Sequence, residues 1–398
     1  MKEQRLLELK GLYKKMLLDD VVPFWMKHSL DKKNGGYYHY LDRDGSILSK
    51  DKSVWMQGRE AWLFAKLYNS FEKREEWLKA SALGYEFLKS YCFDIDGRMF
   101  FQVTSDGRPL RKRRYWFSET FSIIAFSEFA KATGSDEALE RAKEVYKMIV
   151  DFYNNPTKLP PKIYPKIRPI KSHANAMILI ATSQIVREIE YDSIYNDVID
   201  MCMGDIFKLF VKKDKRALLE IVGEQGEIID NPEGRCMNPG HAIETSWILM
   251  HEGLYRKEQY IIDIALDILN WSLERGWDKE YGGIFSFVDI KNKPSEKVEW
   301  DMKYWWPHCE ALYALLLANY ITGNKLYENW YEKIHEWTFK YFPDKEYGEW
   351  YGYLHRDGSV CLSIKGSVWK GPFHIPRYLL YGIKLLEKMQ GKEGKQNK

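Results

Sequence analysis

What this chain has little of narrows it first. Its five cysteines, Cys92, Cys202, Cys236, Cys309 and Cys361, are scattered and odd in number, so neither a zinc spacing nor a disulfide framework can be drawn from them. Net charge is nearly absent: 60 Lys and Arg against 57 Asp and Glu leave +3, which gives no reason to expect a nucleic-acid binder. No run is long and apolar enough to span a bilayer, and the opening residues are charged, without the apolar stretch of a secretion signal. No Gly-x-Gly-x-x-Gly opens a helix after a strand and no Walker sequence occurs, which sets aside the common nucleotide folds. The expectation is a soluble, cytoplasmic protein with neither membrane nor nucleic acid as a partner.

Aromatics are what the chain has in quantity, with 15 Trp, 27 Tyr and 19 Phe in 398 residues, many beside glycines instead of in helical stripes. Most serve the core, and tryptophans in loops also make stacking faces for a sugar. Apolar spacing and breakers place helices near 5–27, 57–72, 74–91, 115–133, 135–154, 171–188, 193–210, 241–255, 257–275, 303–322, 324–341 and 374–389, with Pro23 kinking or ending the first. Between successive pairs a turn recurs, at Asp31-Lys32-Lys33-Asn34-Gly35-Gly36, Asp94-Ile95-Asp96-Gly97, Asp278-Lys279-Glu280-Tyr281-Gly282-Gly283 and Asp344-Lys345-Glu346-Tyr347-Gly348. Return turns follow at Asp42-Arg43-Asp44-Gly45 and Arg356-Asp357-Gly358, so short hairpins are expected. Twelve helices in pairs, repeated with a hairpin at one end, predict an all-α ring of six inner and six outer helices with the hairpins at one mouth. Residues 1–390 then form one domain, the Pro-rich stretch 159–169 is a loop over the rim, and residues 391–398 are a disordered basic tail. The basic run Arg111-Lys112-Arg113-Arg114 reads as an exposed hairpin edge.

Three stretches carry chemistry. In Asn238-Pro239-Gly240-His241-Ala242-Ile243-Glu244, His241 and Glu244 are i,i+3 neighbours at a helix start, so both can enter one pocket. Helix-start amides favour a neutral imidazole there, which keeps a base available; a capping and packing pair is the structural alternative. His374, in Gly371-Pro372-Phe373-His374-Ile375-Pro376-Arg377, begins the last helix in the same way, with a proline in its first turn. Between them Trp305-Trp306-Pro307-His308-Cys309-Glu310 offers Glu310 as a hydroxyl-binding or auxiliary acid/base group, Trp305 and Trp306 as a wall, and His308 as either a pocket or a core histidine. Arg59, after Trp55 at the start of the second helix, can donate to a sugar oxygen or a developing enediolate, or else bridge an acid such as Glu60. Glu119 is a pocket acid or a capping residue, and His173 a further pocket candidate. The histidines lack a metal spacing, so no metal or redox cofactor is expected.

Taken together, Val54-Trp55-Met56-Gln57-Gly58-Arg59, Asn238-Pro239-Gly240-His241-Ala242-Ile243-Glu244, Trp305-Trp306-Pro307-His308-Cys309-Glu310 and Lys370-Gly371-Pro372-Phe373-His374-Ile375-Pro376-Arg377 resemble the N-acylglucosamine 2-epimerase family, the renin-binding proteins of animals. The resemblance runs over essentially the whole chain. It implies an (α/α)6 barrel, a homodimer, and interconversion of N-acetyl-D-glucosamine and N-acetyl-D-mannosamine with ATP as an activator that is not consumed; no nucleotide-binding residues are assigned. Carried over by motif, it implies Arg59, His241, Glu310 and His374 as the catalytic set, with His374 the base toward mannosamine, and Glu244 and His308 as pocket residues. His173 stands where related mannose isomerases and cellobiose 2-epimerases have a pocket histidine. Those two activities are therefore the alternative, and a noncatalytic sugar-binding or protein-interacting protein is the other class.

Overall fold

Which helices face inward follows from how far round the apolar residues extend. A computed structural model of the chain describes residues 1–113 and 115–396, with side chains described as far as residue 391; Arg114, the last of the basic run, falls outside it. Its helices are α1 (Glu3–Lys15), α2 (Val22–His28), α3 (Val54–Ser70), α4 (Glu75–Tyr91), α5 (Phe117–Thr133), α6 (Asp136–Asn154), α7 (His173–Ile189), α8 (Ser193–Asp205), α9 (Pro239–Arg256), α10 (Gln259–Gly276), α11 (Trp305–Thr322), α12 (Lys325–Tyr341) and α13 (His374–Gln396). Helix α11, Trp-Trp-Pro-His-Cys-Glu-Ala-Leu-Tyr-Ala-Leu-Leu-Leu-Ala, is buried on every side, whereas α6 buries one stripe, Ala138, Ala142, Val145, Tyr146 and Ile149. The first kind belongs between two neighbours and an outer layer, the second outside.

Accordingly α3, α5, α7, α9, α11 and α13 pack side by side in sequence, and α13 returns to α3 to close the ring. Helices α4, α6, α8, α10 and α12 lie outside their partners, and α1 covers α13. This is the (α/α)6 toroid. The first predicted helix is interrupted as Pro23 requires: a π turn, Met16–Val21, separates α1 from α2, the wider turn making room for a ring that cannot donate to the helix ladder. At the other end, the backbone of the expected tail is helical as far as Gln396, and residues 397 and 398 lie outside the described residues. In the basic run Arg111 ends an exposed strand, Lys112 bonds Asp94 and Asp96, and Arg113 lies over Phe101 and Tyr115.

The recurrent aspartate turns do close outer helices onto inner ones, through single bridges at Leu30–Tyr37, Phe93–Met99, Trp277–Ile284 and Pro343–Trp350. Three of the aspartates share one device. Each takes a buried lysine from the segment that leads into the next inner helix: Lys52 Nζ on Asp31 at 2.8 Å, Lys303 on Asp278 at 3.1 Å, and Lys365 on Asp344 at 2.8 Å. Each also takes a donor from the next hairpin round the ring. Arg356 Nε reaches Asp278 at 2.8 Å and Arg43 Nε reaches Asp344 at 2.8 Å, while Ser105 Oγ stands in the arginine's place 3.3 Å from Asp31. The hairpins are thereby bolted to one another around the mouth.

One turn departs from its siblings. Where Gly36 and Gly283 adopt positive φ, the fourth turn has Glu349 at φ 56°, a conformation that costs a non-glycine residue about 1 kcal/mol. Its carboxylate meets Lys370 Nζ at 2.5 Å, both side chains fully buried, and Lys370 stands four residues before His374. The strained turn thus anchors the segment that delivers α13. Lys370→Met leaves a buried carboxylate unpaired and is expected to lose about 3–5 kcal/mol in urea unfolding. Glu349→Gly combined with Lys370→Met should regain most of it; equal losses for the two proteins would show that the ion pair is not the source.

Candidate active site

The open side of the inner ring gathers its chemistry at three helix starts. Asn238 caps α9, its side-chain oxygen accepting from His241 N at 3.1 Å, which fixes His241 in the first turn. The imidazole Nδ1 lies 3.0 Å from Glu220 Oε2. A carboxylate only accepts, so Nδ1 carries the proton and Nε2 is left free for the cavity. Burial works against protonation of His241, and the Glu220 carboxylate outweighs it, raising the imidazole above the ordinary histidine value; Glu220 in turn is held below the usual carboxylate range. The neutral ring expected from helix-start amides is thus overturned by a charge the sequence did not place there.

From the start of α13, His374 Nδ1 donates to Glu310 Oε1 at 2.7 Å, again leaving Nε2 free. Glu310 is shared more widely: Arg377 Nη2 reaches the same oxygen at 2.7 Å, and Trp247 Nε1 donates to Oε2 at 2.7 Å. Arg377 also holds Glu244 Oε1 at 2.6 Å. Glu244, Glu310 and His374 bring donor atoms within 4.8 Å of one another, as a cation would require, and the cation at their centre is the Arg377 guanidinium. Burial, Arg377 and Arg59 together push His374 well below the ordinary histidine value. Two imidazoles that each set Nδ1 on a carboxylate are therefore driven apart in acidity, the Arg377 guanidinium standing 3.3 Å from His374 Nδ1 alone.

Trp306 joins them. Its ring centroid is 5.1 Å from that of His241 and 5.7 Å from that of His374, so both imidazoles border one indole. Gly240 permits this approach, since a Cβ there would fall 2.5 Å from the indole edge. Arg59 completes the pocket from α3. Its guanidinium rests on Phe121 at 4.1 Å and Phe373 at 4.7 Å, forms no salt bridge among the described residues, and has an unpartnered Nε. Burial and the neighbouring Arg377 push it down to about 9. Such a group is short of negative charge. Trp55, half-buried, stands over it among Phe101, Phe121 and Trp369.

Several expected pocket residues belong elsewhere. His308 is fully buried: Nδ1 donates to Tyr304 O, Nε2 accepts from Ile284 N, and the ring stacks on Trp337. Burial holds it neutral, at about 3, and it pins the turn at Gly283 instead of meeting substrate. Glu119, also fully buried, accepts from Arg98 Nε and Met99 N and ties the second turn to α5. His173 has no exposed surface; its Nε2 lies 2.9 Å from Thr245 Oγ1, behind His241. Trp305 is 3% exposed and backs the wall with its edge toward His374. Glu220, Arg377 and Trp247 are the site groups that sequence reasoning left without a role. Arg377 was signalled by the spacing from His374 that also pairs His241 with Glu244; Glu220 had only its isolation in an apolar stretch, Leu218-Leu219-Glu220-Ile221-Val222.

Comparison with known proteins supplies the family. The family model described as N-acylglucosamine 2-epimerase (GlcNAc 2-epimerase) matches residues 36–375. The chain is 37% identical to the N-acylglucosamine 2-epimerase of Mus musculus over 373 residues, 91% of this chain and 88% of the mouse protein. Among solved structures, the cellobiose 2-epimerase of Bacillus thermoamylovorans superposes with a TM-score of 0.83 at 22% identity, covering 94% of this chain and 98% of that one. A D-mannose isomerase does so at 0.80 and 16% identity, covering 95% and 98%, so the fold is common to both. With a family model spanning most of its length and a relative of this identity, the chain belongs to the N-acylglucosamine 2-epimerase family.

Proposed function

We propose that this protein interconverts N-acetyl-D-glucosamine and N-acetyl-D-mannosamine by removing the proton at C2 from one face of the sugar and returning one to the other. The observation that carries the reading is the pair of imidazoles, each with Nδ1 on a carboxylate and Nε2 free, bordering Trp306 beside a buried arginine without a counter-ion. The identity to a mouse protein of that activity supplies the substrate.

In the ring-opened aldehyde the C2 proton is acidified by the carbonyl. His374 Nε2 takes it, and the electrons of the C–H bond form a C1–C2 double bond while the carbonyl electrons move to O1. Arg59 meets that charge, an interaction of roughly 3 kcal/mol, about two decades in rate. His241 Nε2–H then protonates C2 from the other face, and the carbonyl reforms. The separation in acidity suits these parts, since His374 is held neutral as a base and His241 is the more readily charged donor. Glu244 and Glu310, fastened by Arg377, are the acceptors this reading assigns to sugar hydroxyls. The reading includes ATP as an activator that is not consumed and a homodimer as the working form, both resting on family membership.

Proton NMR in deuterated water tests it. Wild-type protein is expected to convert N-acetylmannosamine with deuterium entering C2, with and without ATP; conversion of mannose to fructose with N-acetylmannosamine untouched would sink the assignment, and absence of label in every sugar, cellobiose included, would leave a binding protein. His374→Gln and His241→Gln should each lose epimerisation by about 10²–10⁴-fold. His241→Gln should still exchange the C2 proton of N-acetylglucosamine through His374. Near-normal epimerisation by either variant would remove the two-base scheme.

The pH profile follows from the same shifts. Activity needs His374 neutral, so kcat/KM falls on acidification only below the ordinary histidine value, about 6.5. It needs a proton on His241, so the alkaline limb lies above that value. Both directions of reaction share one proton on the pair and should therefore show the same limbs.

A further inference from the structure

The two-base reaction works through His241 Nε2 and leaves Glu220, on Nδ1, outside the path of the proton, yet the fold holds it firmly in the site. It lies between the short strands Ala217–Leu218 and Ile221–Gly223, its N–H donating to Cys236 O and its carbonyl accepting from His173 N. The strand Ile170–Ser172 pairs with Ile221–Gly223, so the main chain on either side is braced. A carboxylate presented from such a backbone is set before any substrate arrives.

Its surroundings differ from those of the other histidine's acid. Glu310 divides its charge among His374, Arg377 and Trp247. Glu220 faces His241 at 3.0 Å and His173 at 3.8 Å and, among the described residues, no lysine or arginine within salt-bridge distance. Behind it the contacts return to their origin: His173 Nε2 meets Thr245 Oγ1, and Thr245 donates to the carbonyl of His241. With its one proton spent there, the Thr245 hydroxyl can only accept from His173, which fixes the His173 ring with Nε2–H outward and Nδ1 toward Glu220.

We propose that Glu220 is a positioning residue, one that fixes His241 with Nδ1–H on the carboxylate and Nε2 toward the sugar, and whose charge, paired with no lysine or arginine among the described residues, keeps the pair's exchangeable proton on His241 in the resting protein. This rests on the two-base reading for its catalytic meaning, though the placement of the proton does not need a sugar. Among the other charged groups facing His241, two carboxylates act in the same direction as Glu220 and more weakly. Glu244 on its own helix and Glu310 on α11 are tied to Arg377, while Arg377 and Arg59 bear upon His374 and lower it. His173 on α7 and His374 on α13 complete the set. The direction in which His241 and His374 are displaced agrees with this division. The resting site is thereby poised for a sugar whose C2 proton faces His374.

The experiment is ¹⁵N NMR of histidine-labelled protein across pH, with the His241 ring assigned by its loss in His241→Gln, followed by kcat/KM profiles. In the wild type the neutral His241 ring should be the Nδ1–H tautomer and titrate above about 6.5. Glu220→Gln keeps an acceptor for that N–H and removes the charge, so the midpoint should fall by about one pH unit or more, and the alkaline limb of kcat/KM should move with it while the acid limb stays in place. A wild-type ring protonated on Nε2, a reading that needs no variant to fold, would overturn the inference, as would an unchanged midpoint in Glu220→Gln. A purely structural glutamate would lower activity evenly at every pH. Should the ring titrate as stated while no sugar exchanges its C2 proton, the proposed function falls and the role of Glu220 stands. Normal C2 exchange with no shift in the Glu220→Gln midpoint would keep the function and remove that role.

Discussion

Everything the site does depends on one buried carboxylate having enough donors. Glu310 accepts from His374 and Arg377 through one oxygen and from Trp247 through the other, so α11, α13 and α9 meet at a single side chain. A charge this deep is tolerated only when its lone pairs are filled. Filling them sets the angle of His374, holds Arg377 against Glu244, and places three inner helices at a fixed distance. The ring could close in many registers on hydrophobic packing alone, which is nondirectional; the hydrogen bonds to Glu310 choose among them.

The same constraint governs the mouth. Inner helices that are apolar all round leave no room for solvent at their starts, so each incoming segment must bring its own polar partners. Lysines 52, 303 and 365 are buried there against aspartates 31, 278 and 344, and the next hairpin adds a donor to each. Glu349 is the place where this pattern is bent to serve the site. It takes a backbone conformation its sister positions give to glycine, and in exchange reaches the lysine that leads into His374. Backbone strain here lies where the structure can be read to use it.

Sequence patterning was enough to show the architecture, because a six-fold alternation of buried and amphipathic helices has a long period and recurrent turn residues. It also singled out His241, Glu310, His374 and Arg59, which sit in short motifs at helix starts where side chains of adjacent turns must converge, and the structure places all four close enough to act on one another. His308 and Glu119 are indistinguishable from them by sequence. A histidine that satisfies backbone groups in the core and one that faces a cavity have the same neighbours in sequence, and only the location of their partners, Ile284 and Tyr304 or Arg98 and Met99, separates them. Glu220 was illegible for the converse reason: it comes from a connecting segment far from any motif, and its meaning lies in a histidine 21 residues away. The extension of α13 to Gln396, past Gly391 and Gly394, shows how weakly glycine content marks a helix end when the preceding turns are well packed.

The contact between Arg43 and Asp344 spans 301 residues. At translation speeds of about 5–20 residues per second, roughly 15–60 s separate the emergence of the two partners from the ribosome. Through that interval the arginine of the first hairpin lacks Asp344, and Arg59 waits in an unfinished ring for the helix that carries His374. The ring is therefore the last thing the polypeptide can complete, since it closes only when the final helix docks between α11 and α3 and packs on α1, joining the two ends of the chain.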